Sequence, residues 1–122
     1  LPEVWDDKMQ NFLGLSTKGN FKEGCLQDIH WTDGSFGYFP AYTLGALNAA
    51  QLFSAFRKQH GDWQEMLGEG DIAPIRSWLE EHIWSKARLL GSQELIEMAT
   101  GEPTNPRYFI DYIRERYLEE RY

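Results

Sequence analysis

The sequence predicts an all-α chain of about six helices, with one long loop ahead of a central buried helix. Three observations carry that prediction. Apolar residues recur at helical spacing through most of the 122 residues. Helix punctuation recurs with them: Pro40 and Pro106 suit a first helical turn, where a missing N–H costs nothing, and Gly14, Gly68 and Gly101 fall just after periodic runs. One segment, residues 15–37, lacks the period and is dense in turn formers.

Residues 3–13 read as a short helix with Val4, Trp5, Met9, Phe12 and Leu13 as an apolar stripe, stopped by Gly14. Residues 15–37 are mostly loop, because Gly19-Asn20 and Thr32-Asp33-Gly34-Ser35 are turn formers. Between those turns, Cys25 to Trp31 suits a short extended segment with alternate side chains on opposite sides. Gly34 and Gly37 permit positive φ in the loop, and Gly45 permits close helix approach. From Pro40 to about His60 the chain is rich in Ala, Leu and Phe without a clean polar face, which predicts a helix buried on most sides.

Asp62 to Leu67 makes a short helix ended by Gly68. Ile72 to about Lys86 makes another, with Ile75, Trp78, Leu79, His82 and Ile83 on one side, and Lys86 and Arg88 as solvated helix charges. Ser92 is placed to cap a helix over 93–100 closed by Gly101. Asn105-Pro106 is the strongest start signal in the chain. It opens a terminal helix whose stripe is Phe109, Tyr112, Ile113 and Tyr117. No repeat, low-complexity tract or long linker interrupts the 122 residues, so they read as one compact helical unit.

Composition removes several function classes. Twelve basic residues stand against nineteen acidic ones, a formal charge of −7, with no Lys/Arg cluster to neutralise phosphates, so no nucleic-acid partner is expected. No apolar run approaches the ~20 residues of a membrane span, and an acidic surface disfavours anionic membranes. The first residues carry no signal-peptide pattern. Cys25 is the single cysteine, which rules out an internal disulfide and a Cys-based zinc pair and suits a reducing cytoplasm. No phosphate-cradling glycine motif occurs. His60 and His82 stand far from each other and from His30, so no complete metal site is expected within the chain. Ser35, Ser54 and Ser92 have no His or acid in a recognisable nucleophile arrangement.

The densest chemistry lies in Gly24-Cys25-Leu26-Gln27-Asp28-Ile29-His30-Trp31 and the run Phe36-Gly37-Tyr38-Phe39-Pro40-Ala41-Tyr42-Thr43-Leu44-Gly45. An imidazole, a carboxylate, an amide and two phenols crowd beside bulky aromatics in a loop that feeds a helix. That is what an active-site wall needs. The plainer readings stand beside it: a structural histidine at His30, a loop-capping carboxylate at Asp28, and two core tyrosines four residues apart. If the helix begins by Tyr38, the phenols of Tyr38 and Tyr42 share one face.

The spelling G-x-x-Q-D-x-H-W followed by F-G-Y-F-P-x-Y-T-L-G resembles the Taq carboxypeptidase family of zinc metallopeptidases. The resemblance extends over nearly the whole chain, through Leu1-Pro2-Glu3-Val4-Trp5 with Lys8-Met9, Gly70-Asp71-Ile72-Ala73-Pro74, Trp78-Leu79-Glu80-Glu81-His82-Ile83, Ala99-Thr100-Gly101-Glu102-Pro103 and Tyr108-Phe109. It implies the C-terminal portion of a larger helical peptidase. Zinc, or another divalent metal, would be held by an upstream H-E-x-x-H helix. The implied partners are that upstream part of the same polypeptide, a peptide substrate and a second copy in a homodimer.

By the same resemblance His30 takes an active-site role without metal ligation, donating to the carbonyl oxygen on which negative charge grows. Asp28 and Gln27 would orient its ring or bind substrate backbone. Analogy with more distant zinc peptidases gives Tyr42 a share in stabilising the tetrahedral intermediate and Tyr38 the substrate's carboxylate end, two roles open to exchange. The chain departs from the family at Trp84-Ser85-Lys86-Ala87-Arg88-Leu89-Leu90, which stands where the resemblance implies a His- and Gly-containing turn. Two other classes remain beside the peptidase: a helical interaction or dimerisation module, and a glycan site built from Trp31, Phe36 and Tyr38 with Gln27 and Asp28.

Overall fold

The computed structural model describes residues 1–118, and among these the regular elements are helical, with no strand. The chain divides into two compact units, Leu1–Pro40 and a second from Ala41 onward.

The first unit opens with α1, Pro2–Leu13, which uses Pro2 in its first turn and ends on Gly14 at φ 67°. The Asp6 carboxylate ties the following chain back to the helix, accepting bonds from the Ser16 hydroxyl at 2.9 Å and from the Thr17 N–H. Those donors, the Thr17 amide foremost, hold its pKa below the usual value. Val4, Phe12 and Leu13 on the predicted stripe are exposed, whereas Trp5 and Met9 are partly covered.

The loop that follows is a chain of tight turns, which corrects the expectation of an extended segment over Cys25–Trp31. Local donors win over extension: Leu26 N–H reaches the Phe21 carbonyl at 3.0 Å, and Gln27 N–H reaches that of Gly24 at 3.1 Å. At Gly24 a Cβ would lie 2.8 Å from the Asn20 carbonyl oxygen, so the turn closes only around a glycine. Gly34 and Gly37 adopt φ 72° and 74° as expected.

In the second unit α2, Pro40–Gln59, is buried over half its length only. Gln51, Ala55 and Phe56 are buried, and Ala55 and Phe56 cluster with Trp78 and Ala99, whereas Tyr42 and Leu44 near the start are exposed. The expectation of burial on most sides therefore fails for the first turns, where these side chains stay exposed. Gly45 faces open space and no close helix approach.

Helix α3 is Trp63–Gly68, and its stop is Gly70 at φ 79°, not Gly68. Gly70 N–H bonds to Leu67 O and Asp71 N–H to Met66 O, the paired geometry that a left-handed residue makes at a helix end. Asp71 then accepts the Ala73 N–H at 3.0 Å to start α4, Ala73–His82.

The predicted run to Lys86 breaks at Ile83, and a 3-10 turn covers Trp84–Lys86. The Ser85 hydroxyl donates to the Glu81 carbonyl and His82 Nδ1 lies 2.9 Å from that of Trp78, side-chain bonds that compete with or bend a helical ladder. Lys86 and Arg88 are consequently turn residues and not helix charges.

Gly91, not Ser92, is the N-cap of α5, Ser92–Thr100. Glu94 reaches back to the Gly91 N–H at 3.0 Å, the half of a capping box that needs no N-cap side chain. Helix α6, Arg107–Ile113, starts as the Asn105-Pro106 signal predicts: Asn105 Oδ1 accepts the Arg107 N–H at 3.0 Å. Its continuation over Arg114–Leu118 widens into a π turn. Tyr112 and Tyr117 lie exposed, so only Phe109 and Ile113 of the predicted stripe are partly covered.

Gln51 organises the second unit from inside. It is 1% exposed, with its amide nitrogen 2.8 Å from Thr100 Oγ1 and 2.9 Å from the Glu102 carbonyl, and its oxygen accepting the Asn105 N–H at 2.8 Å. A buried amide left unmatched is costly, and here it fixes the turn between α5 and α6. Among the described residues no helix is long and apolar enough to cross a membrane.

Candidate active site

The turn after Gly24 places Asp28, and Asp28 places His30. Its Oδ1 accepts the His30 backbone N–H at 2.9 Å and lies 2.6 Å from His30 Nδ1. The peptide bond closes a local turn of the kind an Asp side chain makes two residues ahead. The same oxygen then fixes the imidazole. The two side chains are 9% and 21% exposed, Asp28 being the more covered. Burial pushes the Asp28 carboxyl up, but bonds from the His30 backbone and ring, the electrostatic pull of that ring and a bond from Trp31 outweigh it, and its pKa falls below the usual value. Asp28 is therefore an ionised carboxylate at neutral pH.

Aromatic rings hold the imidazole from other directions. Tyr38 stacks on it, with centroids 4.9 Å apart and planes inclined by 17°, and Phe39 meets it edge-on at 5.2 Å. Trp31, next in sequence, is packed between Trp5 of α1 at 6.2 Å and Phe36 at 6.5 Å. A cavity of about 350 Å³ opens beside the pair, lined by Trp5, Gln27, Asp28, His30 and Phe39 among others. The Trp5 indole N–H is buried without an acceptor among the described residues.

Of the residues singled out in the sequence, His30, Asp28, Gln27 and Tyr38 thus share one unit, and His30, Asp28 and Gln27 line one cavity. Tyr42 belongs to the other unit, on the first turns of α2. Because α2 begins at Pro40, Tyr38 precedes the helix, and the shared helical face proposed for the two tyrosines does not form. Trp5 and Phe39 were missed as cavity residues. Nothing in their spacing marks them, since Trp5 arrives from a helix more than twenty residues away.

A larger cavity of about 870 Å³ lies within the second unit, lined by Arg57, Trp63, Tyr108, Asp111 and Glu115 among others. Its carboxylates are already engaged: Glu115 by Arg57 at 3.0 and 3.3 Å, Glu102 by Tyr108 and Asn105, and Asp111 by Arg107 at 3.5 Å. Arg57 also lies 4.7 Å over the Trp63 ring. This is a polar seam with no histidine among its lining residues. Among the described residues no three His, Cys, Asp or Glu side chains gather as metal ligands.

Comparison with known proteins sets this geometry in context. Residues 1–117 match the family described as Carboxypeptidase Taq (M32) metallopeptidase. The chain is 41% identical over 118 residues to thermostable carboxypeptidase 1 of Pyrococcus furiosus, covering 97% of this chain and 23% of that protein. It is similar to the structure of Trypanosoma cruzi metallocarboxypeptidase 1, with TM-score 0.89 and 45% identity over 97% of this chain and 25% of that one. It is also similar to the Pyrococcus furiosus carboxypeptidase structure described as Apo-Mg, with TM-score 0.88 and 40% identity over 95% of this chain and 23% of that one. The chain thus spans about a quarter of the length of these relatives.

Proposed function

The chain belongs to the Carboxypeptidase Taq (M32) metallopeptidase family, and on that premise we propose that it is the C-terminal segment of a zinc-dependent carboxypeptidase releasing single C-terminal residues from peptides. The residues described here do not form a metal site, so the metal is assigned to the upstream polypeptide, where it would supply Lewis-acid chemistry and an activated water. The share of this chain is the wall that meets the substrate. The observation that carries the reading is the Asp28–His30 pair, clasped by Tyr38 and Phe39 at the edge of a cavity.

In peptide hydrolysis negative charge grows on the carbonyl oxygen as water adds, and a donor already aimed at that oxygen lowers the barrier without reorganising. His30 is that donor. Asp28 spends its carboxylate on the ring and on its own loop, which favours orientation of His30 over direct substrate contact. Gln27, on the cavity wall with an exposed side chain, is assigned to substrate backbone. Tyr42 assists the tetrahedral intermediate, and the Tyr38 hydroxyl takes the substrate's terminal carboxylate. A cytoplasmic homodimer completes the proposal.

His30→Ala in the full-length polypeptide tests it. Removing one preorganised donor costs ~10²–10³ in kcat, about 2.7–4 kcal/mol, with bound-metal stoichiometry unchanged. A structural histidine would instead leave turnover per folded molecule intact and lower the Tm. The second reading, a helical interaction or dimerisation module without catalysis, draws on the many exposed apolar side chains, Phe12, Leu26, Ile29 and Phe36 among them. Unchanged peptidase activity in His30→Ala would favour it.

A further inference from the structure

The larger cavity of the second unit has no part in the function proposed above, and its chemistry is of another kind. Phe53, Ser54, Arg57 and Lys58 line it from α2, at the spacing of successive helical turns. Tyr108, Asp111, Tyr112 and Arg114 line it from α6 and its continuation, and Trp63 adds a ring from α3. A volume of about 870 Å³ thus lies between two helical faces, a setting in which a segment of another chain can be held.

Its charges are layered. Glu115 is bonded to Arg57, and Glu102 to Tyr108 and Asn105, and all five side chains are partly covered. Lys58, Arg107 and Arg114 are exposed instead, and Lys58 lies 5.6 Å over the Tyr108 ring. The exposed acid lining the cavity is Asp111, 3.5 Å from Arg107 and 4.0 Å from Arg114. Among the described lining residues, three exposed cations therefore stand against one exposed carboxylate, on a chain whose formal charge is −7. Salt screens the more distant acids over about 8–10 Å, so a partner at the groove meets a locally positive rim above aromatic rings.

We infer that this groove binds an acidic segment of another polypeptide, with carboxylates on the exposed cations and an apolar side chain among Phe53, Trp63 and Tyr112. A compact anion such as phosphate fits less well. Asp111 already occupies the point where Arg107 and Arg114 converge, and Lys58 stands on the other helix. Cations spread over two helices suit carboxylates spread along a chain.

Fluorescence anisotropy on the full-length polypeptide tests this, with a labelled probe of four glutamates around one tryptophan, amidated at its C-terminus to resist carboxypeptidase action. The probe should bind, and binding should weaken as salt rises. The same peptide with lysines in place of its glutamates should not bind. Lys58→Glu combined with Arg114→Glu should weaken the probe about tenfold, as two exposed ion pairs turned repulsive would, with peptidase turnover unchanged. Should that double variant not fold, Tyr112→Ala is the second: it removes an exposed ring and should weaken the tryptophan probe more than one with alanine at its centre. A full-length chain that ignores the acidic probe overturns the inference, because the groove is then filled from within or unused. Binding that the basic peptide matches, or that no folded variant alters, overturns it as well. The donor role of His30 is read separately, by kcat in His30→Ala.

Discussion

At the residue scale, the side chains around the cavity divide into those that hold and those that would act. Asp28 holds: its contacts go to the His30 amide, the His30 ring and Trp31. Tyr38 holds through its ring, which stacks on His30, and under the proposed function would act through the hydroxyl at the far end of the phenol. Conservative substitutions separate the two halves. Tyr38→Phe in the full-length enzyme keeps the stack and deletes the hydroxyl, so KM should rise with kcat little changed, the signature of a ground-state contact. Tyr42→Phe should lower kcat with KM nearly constant. Steady-state kinetics on one peptide substrate reads both, and wild-type constants for both variants would return the two tyrosines to a packing role.

At the element scale, the turn between α4 and α5 is where the chain stores strain. Ala87 adopts φ 48° and ψ −117°, a backbone region that a Cβ disfavours and glycine enters freely. It does so in the stretch where the family resemblance implies a glycine-containing turn. Ala87→Gly should therefore stabilise the full-length polypeptide by about 1 kcal/mol, the relieved strain exceeding the added chain entropy of ~0.5–1 kcal/mol. Thermal denaturation checks it, and a lowered Tm would show that the alanine conformation is not strained. The opposite case is Gly24, where a Cβ would press on the Asn20 carbonyl and the loop that carries Asp28 and His30 would have to open.

At the scale of the whole molecule, the quantity that matters is apolar surface without cover. Phe12, Leu15, Leu26, Ile29, Phe36, Tyr42 and Leu44 are each about half exposed or more, and where such side chains gather into large patches they mark surfaces that belong against something else. Relatives are about four times as long, and under the proposed function the occupant is the rest of the same polypeptide. The isolated 122-residue chain should bind a hydrophobic dye and self-associate, whereas the full-length protein should bind far less dye per chain. Dye fluorescence with light scattering measures this. A strictly monomeric, dye-silent chain would mean that these side chains find their cover within it.

The sequence by itself determined the helical class, the approximate place of each helix and the loop on which the chemistry sits. These follow from local causes: apolar period, proline in a first turn, and an Asp that closes a turn onto its own neighbour two residues on. Orientation of His30 by Asp28 was expected from the family resemblance, beside a loop-capping reading of Asp28, and the carboxylate does both. The structure decided what depends on distant atoms or on competition between local bonds. Gly70 rather than Gly68 ends α3 because the bonding partners lie in the next turn, and α4 stops at His82 where side-chain bonds bend the ladder. Tyr38 left the helix and became the face on which His30 rests. Trp5 reached the cavity because α1 packs beside the loop, a contact that only the folded chain brings about. Burial followed the same division: periodicity identifies an apolar face, but whether Tyr42 or Phe56 is covered depends on which other elements arrive to cover it.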